Sequence, residues 1–171
     1  MNKLFLPTLL AVVAAAPFAR GQGADEEVAA QEIAKLGGTV VRGVPQFADR
    51  KDAFRNVGNP ALAPVTAVTF GPKTGNAELA SAVKFLAAFK GLESVSFVNA
   101  AVTDPGLAPL ATLPTVVALT VGPGKLTGTG VAAFADGGKL VSLTVTGTSL
   151  TRDGFQAVGK VKSLTTLVLR N

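Results

Sequence analysis

Apolar residues recur in triplets along the C-terminal two thirds of the chain, with two residues between the first and second members and one between the second and third. The triplets begin at Val65, Leu92, Val116, Leu140 and Leu164. The last four starts (92, 116, 140 and 164) follow one another in steps of 24 residues, whereas the first step, from 65 to 92, is 27 residues. A fixed period of this length is typical of proteins built from stacked repeats, in which each unit buries the apolar face of its neighbour.

The second half of each unit repeats as regularly as the first. A threonine follows each of the triplets that begin at 92, 116 and 140 at a constant offset, and a glycine stands three residues after it: Thr103 with Gly106, Thr127 with Gly130, and Thr151 with Gly154. An apolar pair at a spacing of three then recurs: Leu107 with Leu110, Val131 with Phe134, Phe155 with Val158, and, earlier in the chain, Val83 with Leu86. The triplet favours a short strand with one buried face. The threonine favours the N-cap of a short helix, whose apolar pair then faces inward.

One strand and one helix per unit predict an α/β fold with a single parallel sheet on one face and short helices on the other. In this arrangement Leu119, Leu143 and Leu167 are predicted to be buried between the strands and the helices. The longer first unit is predicted to hold its three additional residues in the loop Gly71–Asn76.

Residues 24–63 precede the first triplet and are predicted to cap the stack. Acidic residues at 25–27 favour a helix start, and Ala29, Ile33 and Leu36 share one face of that helix. Gly37 and Gly38 end it, and residues 39–41 are suited to a strand. The segment 42–64 is irregular, which leaves two interpretations open: a degenerate first repeat or a functional loop.

The segment Val145–Phe155, which reads V-T-G-T-S-L-T-R-D-G-F, resembles a bacterial leucine-rich repeat whose core reads approximately L-S-G-T-x-V-T-D-x-G-L. Phe97–Leu107 is similar to the V-T-D-x-G-L end of that core. The resemblance covers residues 64–171 and implies a leucine-rich repeat solenoid of about five units, the last incomplete, that acts as a secreted interaction module. The polar ladder position of such repeats is occupied by Ala100, Gly124 and Thr148, so a continuous side-chain ladder at that position is not expected.

The first 21 residues have the pattern of a secretory signal peptide. Lys3 supplies a positive start, residues 4–16 form an apolar core, and Ala19-Arg20-Gly21 matches a small-x-small cleavage site. The apolar core is shorter than the roughly 20 residues that span a bilayer. We therefore expect export to the periplasm, the cell surface or the medium, with cleavage after Gly21 or Gly23 and no stable membrane insertion afterwards.

The chain contains no histidine and no cysteine, which removes imidazole bases, thiolate nucleophiles, disulfides and the common zinc-ligand sets. The acidic candidates for catalysis, Asp104 and Asp153, occupy predicted helix starts in separate units, where the helix dipole favours negative charge. The sequence therefore predicts a protein that is not an enzyme and binds no cofactor or metal ion. Its net charge is +5, but the basic residues are scattered, and Tyr and Trp are absent, so nucleic acid is not an expected partner.

The candidate binding face consists of the residues between the buried positions of each strand. It is lined mainly by small hydroxyl side chains, with one basic residue: Ser94, Ser96, Thr120, Ser142, Thr144, Thr146, Thr166, Val168 and Arg170. The first hypothesis is a protein-binding or scaffolding module of the cell envelope. The alternative is a carbohydrate- or ordered-surface-binding protein that uses the serine and threonine rows.

The last triplet is followed only by Arg170 and Asn171 in this sequence. The sequence therefore predicts a final strand with an unpaired edge and an apolar layer that no further helix covers. Self-association through this edge is a further expectation for partners.

Overall fold

A computed structural model describes residues 23–43, 63–136, 139–147 and 150–170 of the chain. The helices are α1 (Gly23–Lys35), α2 (Asn76–Leu86) and α3 (Arg152–Gly159), and two 3₁₀ helices span Asp104–Thr112 and Thr129–Phe134. The strands are β1 (Gly38–Arg42), β2 (Val65–Phe70), β3 (Ser94–Phe97), β4 (Ala118–Val121), β5 (Ser142–Thr146) and β6 (Thr166–Arg170). The predicted signal peptide and most of the irregular segment 42–64 lie outside the described residues.

The six strands form one sheet in the order of the chain, and the α/β class is confirmed. Strands β2 to β6 pair in parallel, and the middle residues of the five triplets lie side by side: Val68, Val95, Leu119, Leu143 and Leu167. The prediction of a wholly parallel sheet is wrong at β1, which pairs antiparallel with β2. The strand–helix order of the later units does not extend to this segment. There helix α1 comes first, and the left-handed turn at Gly37 (φ 84°) leads directly into β1.

The first four triplets supply the centre of the core. All twelve of their side chains are almost completely buried, from Val65 at 0% to Val145 at 3% exposed. The residues between them on β3 and β4 are only partly buried, so the predicted strand faces are confirmed. Phe70 and Phe97 stack at 5.7 Å between ring centroids and join the first two layers.

The fifth triplet departs from this pattern. Leu167 was predicted to be buried with Leu119 and Leu143, but it is 41% exposed, and Leu169 is 47% exposed. The reason is positional: β6 is the last strand of the sheet, and no element among the described residues packs over its core-facing side.

The helical segments place most of the predicted apolar pairs inward. Leu107, Leu110, Val131 and Phe134 are buried, as is Val158 in α3. Phe155 is the exception: it was predicted to face inward with Val158, yet it is 48% exposed. Helix α3 belongs to the last unit, so no later helix covers its far side.

The extra residues of the first unit lie in its helix rather than in the loop Gly71–Asn76, which corrects the prediction. Helix α2 has 11 residues, compared with nine in the 3₁₀ helix Asp104–Thr112 and eight in α3. The backbone N–H of Gly75 donates to the Glu78 carboxylate at 2.9 Å, which stabilises the start of this longer helix.

Helix α1 closes the N-terminal end of the core. Ala29 and Ile33 are buried as predicted, while Leu36 is partly buried against the core. The guanidinium group of Arg42 on β1 donates to the Glu27 carboxylate at 2.9 Å and lies 3.8 Å from that of Glu26. The apolar layers at this end are therefore covered by a helix and an ion-pair cluster.

Candidate functional site

The outer sheet face is the side of strands β2–β6 that points away from the helices. Ser94, Ser96, Thr120, Ser142, Thr144, Thr146 and Val168 are partly buried on it, and Thr166 and Arg170 are exposed. Strand pairing brings these nine predicted residues together in ordered rows. The structure therefore places all of them on one continuous surface.

Two rows cross the outer sheet face at right angles to the strands. In the first row, Ser94 and Ser142 flank Ala118, and Thr166 follows on β6. In the second row, four hydroxyl residues on adjacent strands lie in register before Val168 interrupts them: Thr69, Ser96, Thr120 and Thr144. Neighbouring hydroxyl-bearing residues are spaced at the separation of sheet strands, about 4.8 Å. This row can donate and accept hydrogen bonds along a line.

A third row lies at the carboxyl ends of the strands and carries the strongest binding features of the surface. Val98, directly after β3, is 44% exposed. Gly122 follows β4, and a side chain there would collide with the carbonyl of Phe97, 2.7 Å from a built Cβ atom. Thr146 and Arg170 pair at the other end of the row. An exposed apolar side chain and a guanidinium group are thus separated by two small residues.

The outer sheet face has little catalytic chemistry. Arg170 carries the only charge among the outward residues of β2–β6 in the described ranges, and no carboxylate or other base lies beside its hydroxyl groups there. The same ranges hold no cluster of three or more acidic side chains that is suited to a metal ion. The surface is suited to reversible contact through hydrogen bonds and van der Waals packing.

The acidic residue Asp104 has a structural role. Its carboxylate accepts hydrogen bonds from the backbone N–H groups of Thr127 and Gly130 and from the Thr127 hydroxyl, each at 2.9 Å. Partial burial by itself would raise the pKa of this carboxyl group, but these bonds and a contact to the Gly128 backbone outweigh burial and lower its pKa. Asp104 therefore stabilises the turn that begins the next helical segment, and its oxygens are engaged there.

Sequence reasoning missed this set of contacts between neighbouring units. Asn76 makes an equivalent link, because its side-chain amide donates to the Thr103 hydroxyl at 2.7 Å and its carbonyl oxygen accepts from the Thr103 N–H at 2.9 Å. The predicted threonine caps are correct only at Thr151, whose hydroxyl accepts from the Gly154 N–H at 3.1 Å. Thr103 and Thr127 instead bond to the preceding unit because Asn76 and Asp104 lie within reach of them.

The repeating glycine carried a signal that could have revealed these contacts. A Cβ atom at Gly130 would collide with the backbone carbonyl of Asp104, and one at Gly154 with that of Thr127. At Gly106 it would meet the Asn76 side chain. Glycine recurs because the preceding unit approaches at the same place each time.

Replacing Asp104 by Asn is expected to lower the free energy of unfolding at neutral pH by about 1 kcal/mol, because a charged acceptor of three hydrogen bonds is lost. The depressed pKa adds a pH dependence. The stabilisation is fully present above the unfolded-state pKa of about 3.9 and is lost as the pH falls through the lower folded-state pKa. Urea denaturation at neutral and acidic pH measures both effects. Asp153→Asn, at an exposed position in the first turn of α3, is the control and should change stability by less than about 0.5 kcal/mol. Equal effects of the two changes would contradict the role given to Asp104.

No protein-family model matches the chain, and no curated protein matches it. None of the helices in the described ranges is both long enough and apolar enough to cross a bilayer.

Proposed function

We propose that the chain is an exported, non-enzymatic leucine-rich repeat solenoid that binds or scaffolds another protein at the cell envelope. The observation that carries the proposal is the in-register pairing of β2 to β6, which aligns equivalent positions of successive 24-residue units. Stacked repeats of this kind present an extended surface instead of a closed cleft. The outer sheet face is the part of this chain that fits that description.

Its composition indicates how a partner protein would bind. Short side chains on the outer sheet face let a partner approach the strands closely, and their hydroxyl groups supply polar contacts. Val98 and Arg170 offer larger contacts at the carboxyl ends of the strands, and arginine is among the residues enriched in binding hot spots. We therefore place the centre of the protein contact at the third row, with the hydroxyl rows beside it.

The experiment adds bulk and charge to the outer sheet face. A double variant, Thr120→Lys with Thr144→Lys, places two long cationic side chains on adjacent strands in the middle of this face. It is expected to lose the envelope proteins that the unmodified chain retains in a pull-down from envelope extract, because an unmatched charge in an interface must be desolvated. The matched control is Ala108→Lys with Gln156→Lys, which adds the same charge at exposed positions of the helical segments. Retention of the same proteins by both double variants would contradict the proposed location.

A carbohydrate or an ordered surface is the second candidate ligand, and one observation favours it. The row of Thr69, Ser96, Thr120 and Thr144 is an uninterrupted line of hydroxyl groups at a regular spacing, which suits a ligand with a repeating arrangement of polar groups. A glycan array run beside the pull-down separates the two candidates. Binding to glycans that the Thr120, Thr144 double variant abolishes, without retention of a protein, would favour this candidate over the first.

Export is testable at the N-terminus. Helix α1 begins at Gly23, so cleavage after Gly21 would leave the helix intact, and we propose this site over the one after Gly23. Replacing Leu9 and Leu10 by Arg is expected to retain the precursor in the cytoplasm, because charge in the apolar core opposes insertion. N-terminal sequencing of the exported chain checks the cleavage site. An exported chain that still begins at Met1 would contradict the signal peptide.

A further inference from the structure

The two ends of the sheet differ in what they expose. At the β1 end, helix α1 and the cluster of Arg42 with Glu26 and Glu27 cover the core. At the β6 end, Leu167 and Leu169 remain 41% and 47% exposed on the core-facing side of the strand. Phe155, 48% exposed, stands on α3, the helix that precedes β6 in the chain. The apolar surface that remains open in the described structure is therefore concentrated at one end.

The backbone of β6 offers polar groups at the same end. Thr166 donates its N–H to the Val141 carbonyl, and Arg170 accepts from the Gly147 N–H, so both residues direct their backbone groups toward β5. Val168 lies between them in the same parallel register and does the same. Successive residues of a strand alternate in this direction, so Leu167 and Leu169 direct their N–H and C=O groups toward the outer edge. Within the described residues, no strand lies on that side.

We propose that this edge pairs with β6 of a second copy of the chain, antiparallel and with the two-fold axis at Val168. In this register Leu167 lies opposite Leu169 of the other copy, and Leu169 opposite Leu167. These are the residues whose backbone groups point outward, so each pair can exchange both hydrogen bonds. The four leucines then share one face of the joined sheets, and each copy covers the open core layer of the other.

The charges fit the same register. Arg170 lies opposite Thr166 of the second copy, and the two arginines stand at opposite ends of the paired strands. Antiparallel strands disfavour like charges directly opposite each other, and this arrangement has none. A two-fold interface uses the same patch on both copies, which is the commonest symmetry of soluble dimers.

A head-to-tail arrangement lacks these features. It would place the open leucines against β1 of the next copy, which presents Gly38 and Val40 toward the core in place of a layer of leucines. Arg42 on that strand is already bonded to Glu27 and to the Ala63 carbonyl. The self-complementary end is β6, so pairing closes at two copies.

This dimer is independent of what binds the outer sheet face, and a register-specific cross-link tests it. The chain contains no cysteine, so a single introduced thiol can form only an intermolecular disulfide. In the proposed register, residue 168 faces its own copy as a non-hydrogen-bonded pair with Cα atoms about 4.5 Å apart, within the range for a disulfide. Residues 166 and 170 are each four positions from their symmetry mates, about 14 Å away, which is too far.

Val168→Cys is therefore expected to give a covalent dimer under mild oxidation, while Thr166→Cys and Arg170→Cys remain mostly monomeric under the same conditions. Cross-linking of Val168→Cys no greater than that of the other two variants would overturn the proposed register.

Sedimentation of the unmodified chain over a range of concentrations supplies the second readout. A monomer–dimer equilibrium is expected, and Leu167→Lys should raise its dissociation constant about tenfold or more, because a charge on an edge strand opposes pairing. Val98→Lys, which removes another exposed apolar side chain far from β6, should leave the constant unchanged. Circular dichroism checks that both variants are folded. A chain that stays monomeric at every concentration, or a dimer that Leu167→Lys leaves intact, would overturn the proposal.

Discussion

Leu143→Ala is expected to lower the free energy of unfolding by about 2–5 kcal/mol. Leu143 is fully buried on β5, between the register-matched Leu119 and Leu167. Truncation removes the transfer free energy of the lost methyl and methylene groups and leaves a cavity that the two flanking layers restrict from collapsing. Urea denaturation followed by circular dichroism measures the loss.

The neighbouring residue provides the control for this prediction. Thr144 is the next residue on the same strand but lies on the outer sheet face, where it is only partly buried. Thr144→Ala is expected to change the free energy of unfolding by less than about 0.5 kcal/mol. Similar losses at 143 and 144 would show that the strand does not have one core face and one outer face.

Gly154→Ala is expected to destabilise the fold by about 3 kcal/mol, the upper end of the usual range for an overpacked position. Gly154 begins the buried side of α3, and a Cβ atom there would collide with the backbone carbonyl of Thr127. The obstacle is backbone of the preceding unit, so a side-chain rotation cannot relieve it. The loss is measured as a shift of the thermal or urea midpoint.

Helix α3 contains its own control. Gly159, at the other end of the helix, would bring an added Cβ within 4 Å of nothing. Gly159→Ala is expected to stabilise the protein slightly, by about 0.5 kcal/mol, because alanine has the higher helix propensity. Destabilisation of equal size at both glycines would point to a general loss of helix α3 and would contradict the close approach at Gly154.

The regular part of the fold was predictable because its signal is repeated. Each triplet reports the same burial pattern, so the strand positions and core faces of β2 to β5 follow from the periodicity alone. Errors arose where a residue's environment depends on what comes next to it in space. Leu167 and Phe155 have the same local pattern as their buried equivalents, yet they are exposed because their unit is the last in the described structure.

The first unit illustrates a second source of error. A longer spacing between Val65 and Leu92 does not reveal where the additional residues lie, because a loop and a helix can both absorb them. The direction of β1 was also beyond the pattern, since its segment contains no triplet and places its helix before its strand.

The candidate site was predictable to the same extent. Alternation along the strands identified the nine residues of the outer sheet face, because each is the neighbour of a buried position. The links from Asn76 to Thr103 and from Asp104 to Thr127 were not foreseen, because they join polar side chains from different units. A polar residue near a helix start has several partners within reach, and only the stacking of the units selects one.

The proposals for the outer sheet face depend on equivalent positions of successive units lying side by side in one chain. Distances between paired spin labels test this most directly, because the chain lacks cysteine and labels can be placed at will. Thr69→Cys is combined in turn with Thr144→Cys and with Val168→Cys, and each labelled chain is diluted with unlabelled protein so that only distances within one chain contribute. With strands about 4.8 Å apart, the backbone separations should be about 14 Å and 19 Å, so the label distance should increase by about one strand spacing from the first pair to the second. Label distances that fail to increase by this step would contradict the stacked arrangement.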